Sequence, residues 1–251
     1  MAPIIQIKDV HKKLGNRKVL DGVSLDIEKG QILAVVGPSG VGKSTLIKHM
    51  VGLMLPDSGD VLVEGQSVVK ADRRQLSEIR SKFGVVFQGA ALLASLNVAD
   101  NVALPLTEHT NLPRNKIDEI VSSKLELVHL SGFEEYMPAS LSGGMRKRVG
   151  LARALVRDPE VILYDEPTAG LDPIMANTIV DLARETADKT GCTSVIITHD
   201  IATVFRVSDR AAMIFGGKII AQGTPQELEE SEDEAVRQFL EGRTVGPLTD
   251  N

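Results

Sequence analysis

An apolar segment that runs directly into a glycine-rich loop constrains the fold of this chain more than any other feature. Residues 32–36 (ILAVV) are all apolar, without the alternation of a half-exposed strand, which is typical of a strand buried on both faces of a parallel sheet. Residues 37–44 (GPSGVGKS) match G-x-x-x-x-G-K-[ST] in every fixed position, and residues 43–53 are predicted to form a helix. A strand, a phosphate-binding loop and a helix in this order predict an α/β fold with a nucleoside triphosphate site.

The residue types of this loop suit phosphate. Glycines allow the backbone to wrap around an anion with its N–H groups pointing inward. Lys43 is predicted to contact the β- and γ-phosphates, and the hydroxyl group of Ser44 is predicted to ligate Mg²⁺. A glycine-rich turn without a ligand is the alternative, and the strand before the loop and the helix after it disfavour that alternative.

Three other apolar strands are predicted to end in polar side chains. These strands, with their terminal polar residues, are residues 83–88 with Gln88, residues 161–166 with Asp165 and Glu166, and residues 195–200 with His199 and Asp200. Parallel α/β sheets bind ligands at the carboxyl ends of their strands, so we expect these side chains to act on the ligand of the glycine-rich loop. Taken separately, an Asp-Glu pair is commonly a helix cap or a solvated turn, and a lone histidine is commonly structural.

Hydrolysis of a nucleoside triphosphate gives each of these side chains a role. Asp165 is predicted to hold the Mg²⁺ shell, and Glu166 is predicted to orient and polarise the attacking water. His199 is predicted to sense the γ-phosphate, and the Gln88 side chain is predicted to contact both the water and Mg²⁺.

A second glycine-rich turn, residues 141–145 (LSGGM), opens a predicted helix at 142–156. The unpaired N–H groups and the dipole of a helix N-terminus favour an anion. One chain with two phosphate sites predicts that two chains sandwich nucleotides between them.

Strand and helix patterns alternate along most of the chain. The first thirty residues have the pattern of β-structure, residues 98–157 are helical, and residues 211–221 resemble a hairpin joined at Gly216-Gly217. This alternation predicts a mainly parallel sheet with helices on both faces and the helical segment as an insertion. Residues 227–234 contain six carboxylates, which we interpret as a solvated helix face rather than an acidic ligand site.

The bulk properties exclude several classes of protein. A net charge of −6 argues against a broad nucleic-acid surface. No apolar run approaches the roughly 18–20 residues that span a bilayer, and the N-terminus lacks a signal-peptide pattern, so we expect a cytosolic protein. The single cysteine, Cys192, excludes an internal disulfide and a cysteine metal cluster, and is expected to be a small residue near the start of a strand.

With these residues in place, the chain resembles the ATP-binding subunit of ABC transporters over nearly its whole length. The motifs that carry the resemblance are, in chain order, the Walker A loop, the Q-loop, the signature, Walker B with its following glutamate, the D-loop and the switch histidine. In this sequence they are Gly37, Pro38, Ser39, Gly40, Val41, Gly42, Lys43, Ser44 and Thr45; Gln88; Leu141, Ser142, Gly143 and Gly144; Asp165 with Glu166; Ala169, Gly170, Leu171 and Asp172; and His199.

The resemblance implies a P-loop nucleotide-binding domain of the ABC type. This α/β fold has a RecA-like, mainly parallel sheet core, an N-terminal antiparallel β subdomain and an inserted helical subdomain. The single ATPase domain is expected at residues 4–242, with the core and β subdomain at about 4–97 and 158–225, the helical subdomain at 98–157, and a C-terminal helix and tail at 226–251.

The resemblance also implies that two copies form a head-to-tail dimer that hydrolyses ATP with Mg²⁺. Ser142, Gly143 and Gly144 of one copy, with Asp172, would close on the nucleotide held by the Walker A loop of the other. The implied metal ligands are Ser44, Gln88 and Asp165, and the implied catalytic residues are Glu166, His199 and Gln88.

Narrower features resemble the MCE-associated (Mla-type) phospholipid transport systems. They are residues 89–93 (GAALL), residues 101–106 (NVALPL) with 108–110 (EHT), Met145 where many importers carry glutamine, and residues 239–242 (FLEG) with Gly246-Pro247. This resemblance implies an integral membrane permease, an MCE-domain lipid-binding protein and a small regulatory subunit as partners, no nucleic acid, and a place on the cytoplasmic face of the inner membrane. The alternatives are an ATPase for another solute and a soluble ABC ATPase, such as an iron–sulfur assembly component.

One position departs from the family. An aromatic residue near the start commonly stacks on adenine, and the comparable residue here is Leu14. Stacking on an aromatic face contributes about 1–3 kcal/mol, so its absence affects the binding of the base and leaves the phosphate chemistry intact. Arg17 and Val19 are the candidates to cover the base instead.

Overall fold

The computed structural model describes residues 3–249. The strands within this range are β1 (Ile5–Leu14), β2 (Arg17–Ile27), β3 (Ile32–Val36), β4 (Ser58–Val63), β5 (Gln66–Ser67), β6 (Phe83–Val86), β7 (Val161–Asp165), β8 (Thr193–Thr198), β9 (Arg210–Phe215) and β10 (Lys218–Gly223). The α-helices within it are α1 (Lys43–Met50), α2 (Arg73–Ser81), α3 (Val98–His109), α4 (Arg114–Leu127), α5 (Gly143–Leu155), α6 (Pro173–Thr190), α7 (Ile201–Val207), α8 (Pro225–Glu229) and α9 (Glu234–Glu241). The described residues form two compact units, one made of residues up to Arg80 with those from Thr193 onward, the other of Ser81–Cys192.

The first unit contains an antiparallel sheet in the order β2-β1-β4-β5. Ile5 of β1 lies opposite Ile27 of β2 and Val63 of β4, and all three side chains are fully buried. The alternating apolar positions of β1 and β2 thus point into a core, as the sequence pattern predicts.

The first unit also contains β10, β9, β3 and β8 in that order. β3 is parallel to both neighbours, with Val36 opposite Thr198 of β8 and Met213 of β9. Every residue of β3 is at most 2% exposed, which confirms the predicted strand with two buried faces. The predicted hairpin is β9 and β10, which pair antiparallel on either side of Gly216-Gly217.

The acidic segment near the C-terminus differs from the single helix face that its composition predicts. Its carboxylates are exposed, but they are divided between α8, a connecting segment and α9. The Thr224 side chain and the Glu227 carboxylate form a capping box that starts α8, and the Asp233 carboxylate accepts from Ala235 N and starts α9. Two N-terminal caps this close together break the segment into two short helices. Of the predicted tail, residues 250–251 lie outside the described range, as do Met1 and Ala2 at the other end.

The second unit places helices around two parallel strands. β6 and β7 pair in parallel, and the helical segment predicted from the sequence corresponds to α3, α4, a 3₁₀ turn at Pro138–Ser140 and α5. This unit is wider than the predicted helical subdomain, since it also includes β6, β7 and α6. Cys192 is buried and directly precedes β8, as expected.

No helix in the part of the chain that the structure describes combines the length and the apolar character needed to cross a bilayer.

Candidate nucleotide-binding site

The loop after β3 has a backbone that only glycine accommodates at its first position. Gly37 has a φ of 150°, and a Cβ atom there would lie 2.3 Å from the carbonyl oxygen of Ile214 in β9. Gly42, with a φ of 113°, would place a Cβ atom 2.9 Å from the carbonyl oxygen of Val19 in β2. The loop therefore packs tightly against two strands of the first unit, and this fixes the course of its backbone.

Gly42 is also the N-cap of α1, and it has no side chain with which to accept from the first-turn amides. The Lys43 side chain is 5% exposed, and its Nζ donates to Gly37 O at 2.7 Å and to Pro38 O at 3.0 Å. An ammonium group and the N-terminus of a helix meet at this loop. Both favour a multiply charged anion, so the donor set fits a polyphosphate.

The structure separates the two candidates for covering the base. Val19 is 9% exposed and packs under Gly42, whereas Arg17 is exposed and its Nη2 donates to Gly40 O at 3.2 Å. Leu14 lies opposite Arg17 in the β1–β2 pair and is 44% exposed. Arg17 is therefore the candidate whose side chain reaches the outer surface of the loop.

His199 leaves the first unit's sheet next to the start of this loop. Val36 and Thr198 are register partners in the parallel pair β3–β8, so Gly37 and His199 are the next residues of adjacent strands. His199 is exposed, while the neighbouring Asp200 accepts from Ala202 N at 3.0 Å and from Thr203 Oγ1 at 2.6 Å as the N-cap of α7. The structure thus brings His199 to the loop that carries Lys43 and leaves Asp200 with a structural role.

The second unit brings Gln88 and Glu166 together in the same way. Val86 of β6 is the register partner of Tyr164 of β7, and Gln88 and Glu166 each lie two residues beyond this pair. Asp165 is the last residue of β7, and Glu166 has a φ of 51° in the left-handed region. Parallel strands that end side by side place these polar residues at one edge.

Lys147 is a residue of this edge that sequence reasoning missed. It is 7% exposed, and its Nζ donates to the carbonyl oxygens of Gln88 and, at 3.4 Å, of Glu166. Burial lowers the pKa of Lys147, while the negative charges of Glu166 and Asp165 act in the opposite direction. In the sequence it is one of three consecutive basic residues, and nothing local distinguishes the buried one.

The signature segment begins α5, as predicted. Ser142 is the N-cap and its Oγ accepts from Met145 N at 3.2 Å. A Cβ atom on Gly144 would lie 2.2 Å from Met175 Cε of α6, so the glycine permits close packing of the two helices. Ser142 is exposed and Met145 is half-buried.

Asp172 is the N-cap of α6, where its carboxylate accepts from Ile174 N at 3.0 Å and Met175 N at 3.1 Å. It is exposed, and the Ile174 side chain beside it is 77% exposed. The D-loop therefore presents a polar and an apolar group together on the surface of the second unit.

Residues 20–169 match the family model described as ABC transporter. Over 245 residues the chain is 42% identical to the Haemophilus influenzae protein named intermembrane phospholipid transport system ATP-binding protein MlaF, which covers 98% of this chain and 93% of that protein. It is 41% identical over 248 residues to the Mycobacterium leprae protein named probable ribonucleotide transport ATP-binding protein mkl. The aligned region covers 99% of this chain and 72% of that protein.

A solved structure confirms the predicted fold. The ATP-binding cassette MJ0796, described as a dimer in a post-hydrolysis state bound to ADP and Pi, superposes with a TM-score of 0.79 at 31% identity. The superposition covers 88% of this chain and 98% of that one.

Proposed function

Because the chain belongs to the ABC transporter family, we propose that it is the ATP-hydrolysing subunit of a membrane transporter that moves phospholipid. The observation that carries the lipid assignment is the 42% identity, over 98% of the chain, to a phospholipid transport ATP-binding protein. The Mla-type features of the sequence, including Met145 in the signature, support the same assignment.

ATP is bound mainly through its phosphates. The backbone of residues 37–45 wraps the β- and γ-phosphates, and the ammonium group of Lys43, held at the loop by the carbonyl groups of Gly37 and Pro38, pairs with the phosphate oxygens. Arg17, beside Gly40, covers the base in place of an aromatic residue.

Mg²⁺ bound with ATP would supply positive charge against the negative charge of the phosphates. Ser44, Gln88 and Asp165 would hold it through a hydroxyl, an amide and a carboxylate oxygen. These are the hard oxygen ligands that Mg²⁺ prefers, so the donor set fits the ion.

Hydrolysis needs a base for water and a group that responds to the γ-phosphate. Glu166 orients and polarises the water, and His199 contacts the γ-phosphate from the strand next to the Walker A loop. Gln88 would contact both the water and Mg²⁺, and it lies two residues beyond Val86, as Glu166 lies two residues beyond the register partner Tyr164.

A second copy of the chain completes each site. Ser142, Gly143 and Gly144 of one copy, with Asp172, act on the nucleotide held by the other copy in a head-to-tail dimer. The dimeric relative bound to ADP and Pi supports this arrangement, as does the exposed Ile174 next to Asp172, an apolar group suited to an interface.

The dimer is peripheral on the cytoplasmic face of the inner membrane, and its partners are an integral membrane permease, an MCE-domain protein and a small regulatory subunit. Ribonucleotides are the second candidate class of solute, because one relative is named for ribonucleotide transport. An iron–sulfur assembly ATPase is disfavoured, since both relatives are named as transport proteins.

The lipid assignment is tested with the chain and its permease reconstituted in liposomes that contain a fluorescent phospholipid. We expect Mg-ATP to drive movement of the lipid and expect Glu166→Gln to abolish it, because the variant cannot activate water. The control is the matched neutral change Glu160→Gln, at the other end of β7, which should retain transport. Transport of ribonucleotides with no movement of phospholipid would favour the other solute class.

A further inference from the structure

The helix α5, which begins at the signature, carries a buried cation. Lys147 is 7% exposed and lies one turn after Gly143 and Gly144. Burying an ammonium group is strongly unfavourable unless hydrogen bonds replace its water. The partners of this group should therefore show what it does.

Lys147 donates to two main-chain oxygens. Its Nζ donates to the carbonyl oxygen of Gln88 and to that of Glu166, the latter at 3.4 Å. The lysine thus holds the peptide backbone of two proposed catalytic residues rather than their side chains.

The two acceptors lie beyond the end of a pair of strands. The last register pair of β6 and β7 is Val86 with Tyr164, and each acceptor is two residues further along its strand. Parallel strands lie about 4.8 Å apart and are joined by backbone hydrogen bonds only as far as they pair. Lys147 therefore bridges the two chain segments at the point where the sheet no longer does.

The backbone of Glu166 needs such support. Its φ of 51° lies in the left-handed region, which is unfavourable for a glutamate and persists only where the surroundings hold it. The Glu166 carbonyl oxygen also accepts from Ala169 N at 3.2 Å, so Lys147 is a second donor to the same oxygen. Loss of this donor frees the peptide that sets the direction of the Glu166 side chain.

The face of α5 that carries Lys147 also contacts the segment after Gln88. Ala90 and Ala91 have φ values of 59° and 50°, and Arg153 donates to their carbonyl oxygens at 2.7 Å each. A Cβ atom on Gly150 would lie 3.4 Å from Ala90 Cβ, so helix and segment are in close contact. Positions 147, 150 and 153 are spaced by three residues and therefore lie on one face of α5. Their contacts hold the backbone of residues 88–91 against this helix.

We propose that Lys147 is a positioning residue for ATP hydrolysis, which holds the main chain of Gln88 and Glu166 in one geometry. The inference rests on the proposed function of the chain as an ATPase. A catalytic group displaced by about 1 Å lowers a rate on the order of 100-fold, while binding of the phosphates by the Walker A loop does not depend on this bridge. The loss should therefore fall on kcat and spare KM.

The test compares steady-state hydrolysis of Mg-ATP by the full-length chain and its variants. Lys147→Met keeps the length of the side chain and removes the donor, and we expect kcat to fall at least about tenfold with KM changed less than about threefold. Lys147→Arg retains several donors and should recover most of kcat. The matched control is Lys124→Met, which removes a mostly buried lysine of α4 whose partner is Asp158, and it should retain the wild-type kcat.

Thermal unfolding shows whether each variant is folded. A folded Lys147→Met protein with kcat within about twofold of wild type, or a Lys147→Arg protein as slow as Lys147→Met, would overturn the positioning role. If Lys147→Met does not fold, Lys147→Gln replaces it, because its shorter amide cannot span both carbonyl oxygens, and the same split between kcat and KM decides. A wild-type chain that does not hydrolyse ATP would instead contradict the proposed function.

Discussion

Replacing Glu166 by glutamine is expected to abolish most ATP hydrolysis while ATP still binds. The Glu166 carboxylate, directly after β7, is the group proposed to take a proton from the attacking water, and glutamine has the same shape without the basic oxygen. Loss of a general base lowers kcat by about 10²- to 10⁴-fold. Because the closed dimer reopens only after hydrolysis in this account, ATP should shift the variant from monomer to dimer in light scattering.

Glu160→Gln controls for the loss of a negative charge at the opposite end of the same strand, and it should hydrolyse ATP at the wild-type rate. A Glu166→Gln protein that remained monomeric with ATP and kept its full kcat would show that another group activates the water.

Replacing Lys43 by alanine is expected to weaken ATP binding and to remove turnover. The change removes a charge-assisted hydrogen bond, which contributes about 1.5–3 kcal/mol, so the Kd for ATP should rise about 10- to 150-fold. The Lys43 Nζ donates to Gly37 O at 2.7 Å, so the variant also loses a contact that shapes the loop. Titration with a fluorescent ATP analogue measures the change in Kd.

Lys48→Ala removes an exposed lysine from the same helix and should leave the Kd unchanged. Wild-type affinity and hydrolysis by Lys43→Ala would overturn the assignment of residues 37–45 as the phosphate-binding loop.

The sequence predicts the first unit well because its signals are local. The five consecutive apolar residues of β3 are buried because the strand has a parallel neighbour on each side. The fixed glycines of the motif, Gly37 and Gly42, stand where the loop has no room for a side chain. The start of α5 at Ser142 is also predicted, because an N-cap and its helix are adjacent in sequence.

The sequence does not predict contacts between distant segments. Arg146, Lys147 and Arg148 are equivalent in composition, and only the fold determines that Lys147 meets a carbonyl group 59 residues earlier in the chain. The left-handed backbone of Glu166 is equally invisible, because glutamate has no preference for it.

The C-terminal segment shows a third kind of difference. Its charge pattern correctly indicates exposure, but the same residue types also cap helices. Asp233 therefore starts a new helix where the composition predicts the continuation of one.

In the proposed function, each ATP site is formed by two copies of the chain, with the signature of one copy acting on the nucleotide of the other. Mixing two inactive variants tests whether the site is shared. Lys43→Ala removes the phosphate contact of one copy, and Ser142→Arg places a bulky side chain at the exposed signature serine. In a head-to-tail mixed dimer both defects fall in one site and the other site is intact.

The measurement is ATP hydrolysis by an equal mixture of the two proteins, compared with each protein alone. Half of the dimers should be mixed and each should carry one intact site of two, so we expect recovery to about a quarter of the wild-type rate. A mixture that hydrolyses no more ATP than the two variants do separately would contradict a site shared between copies.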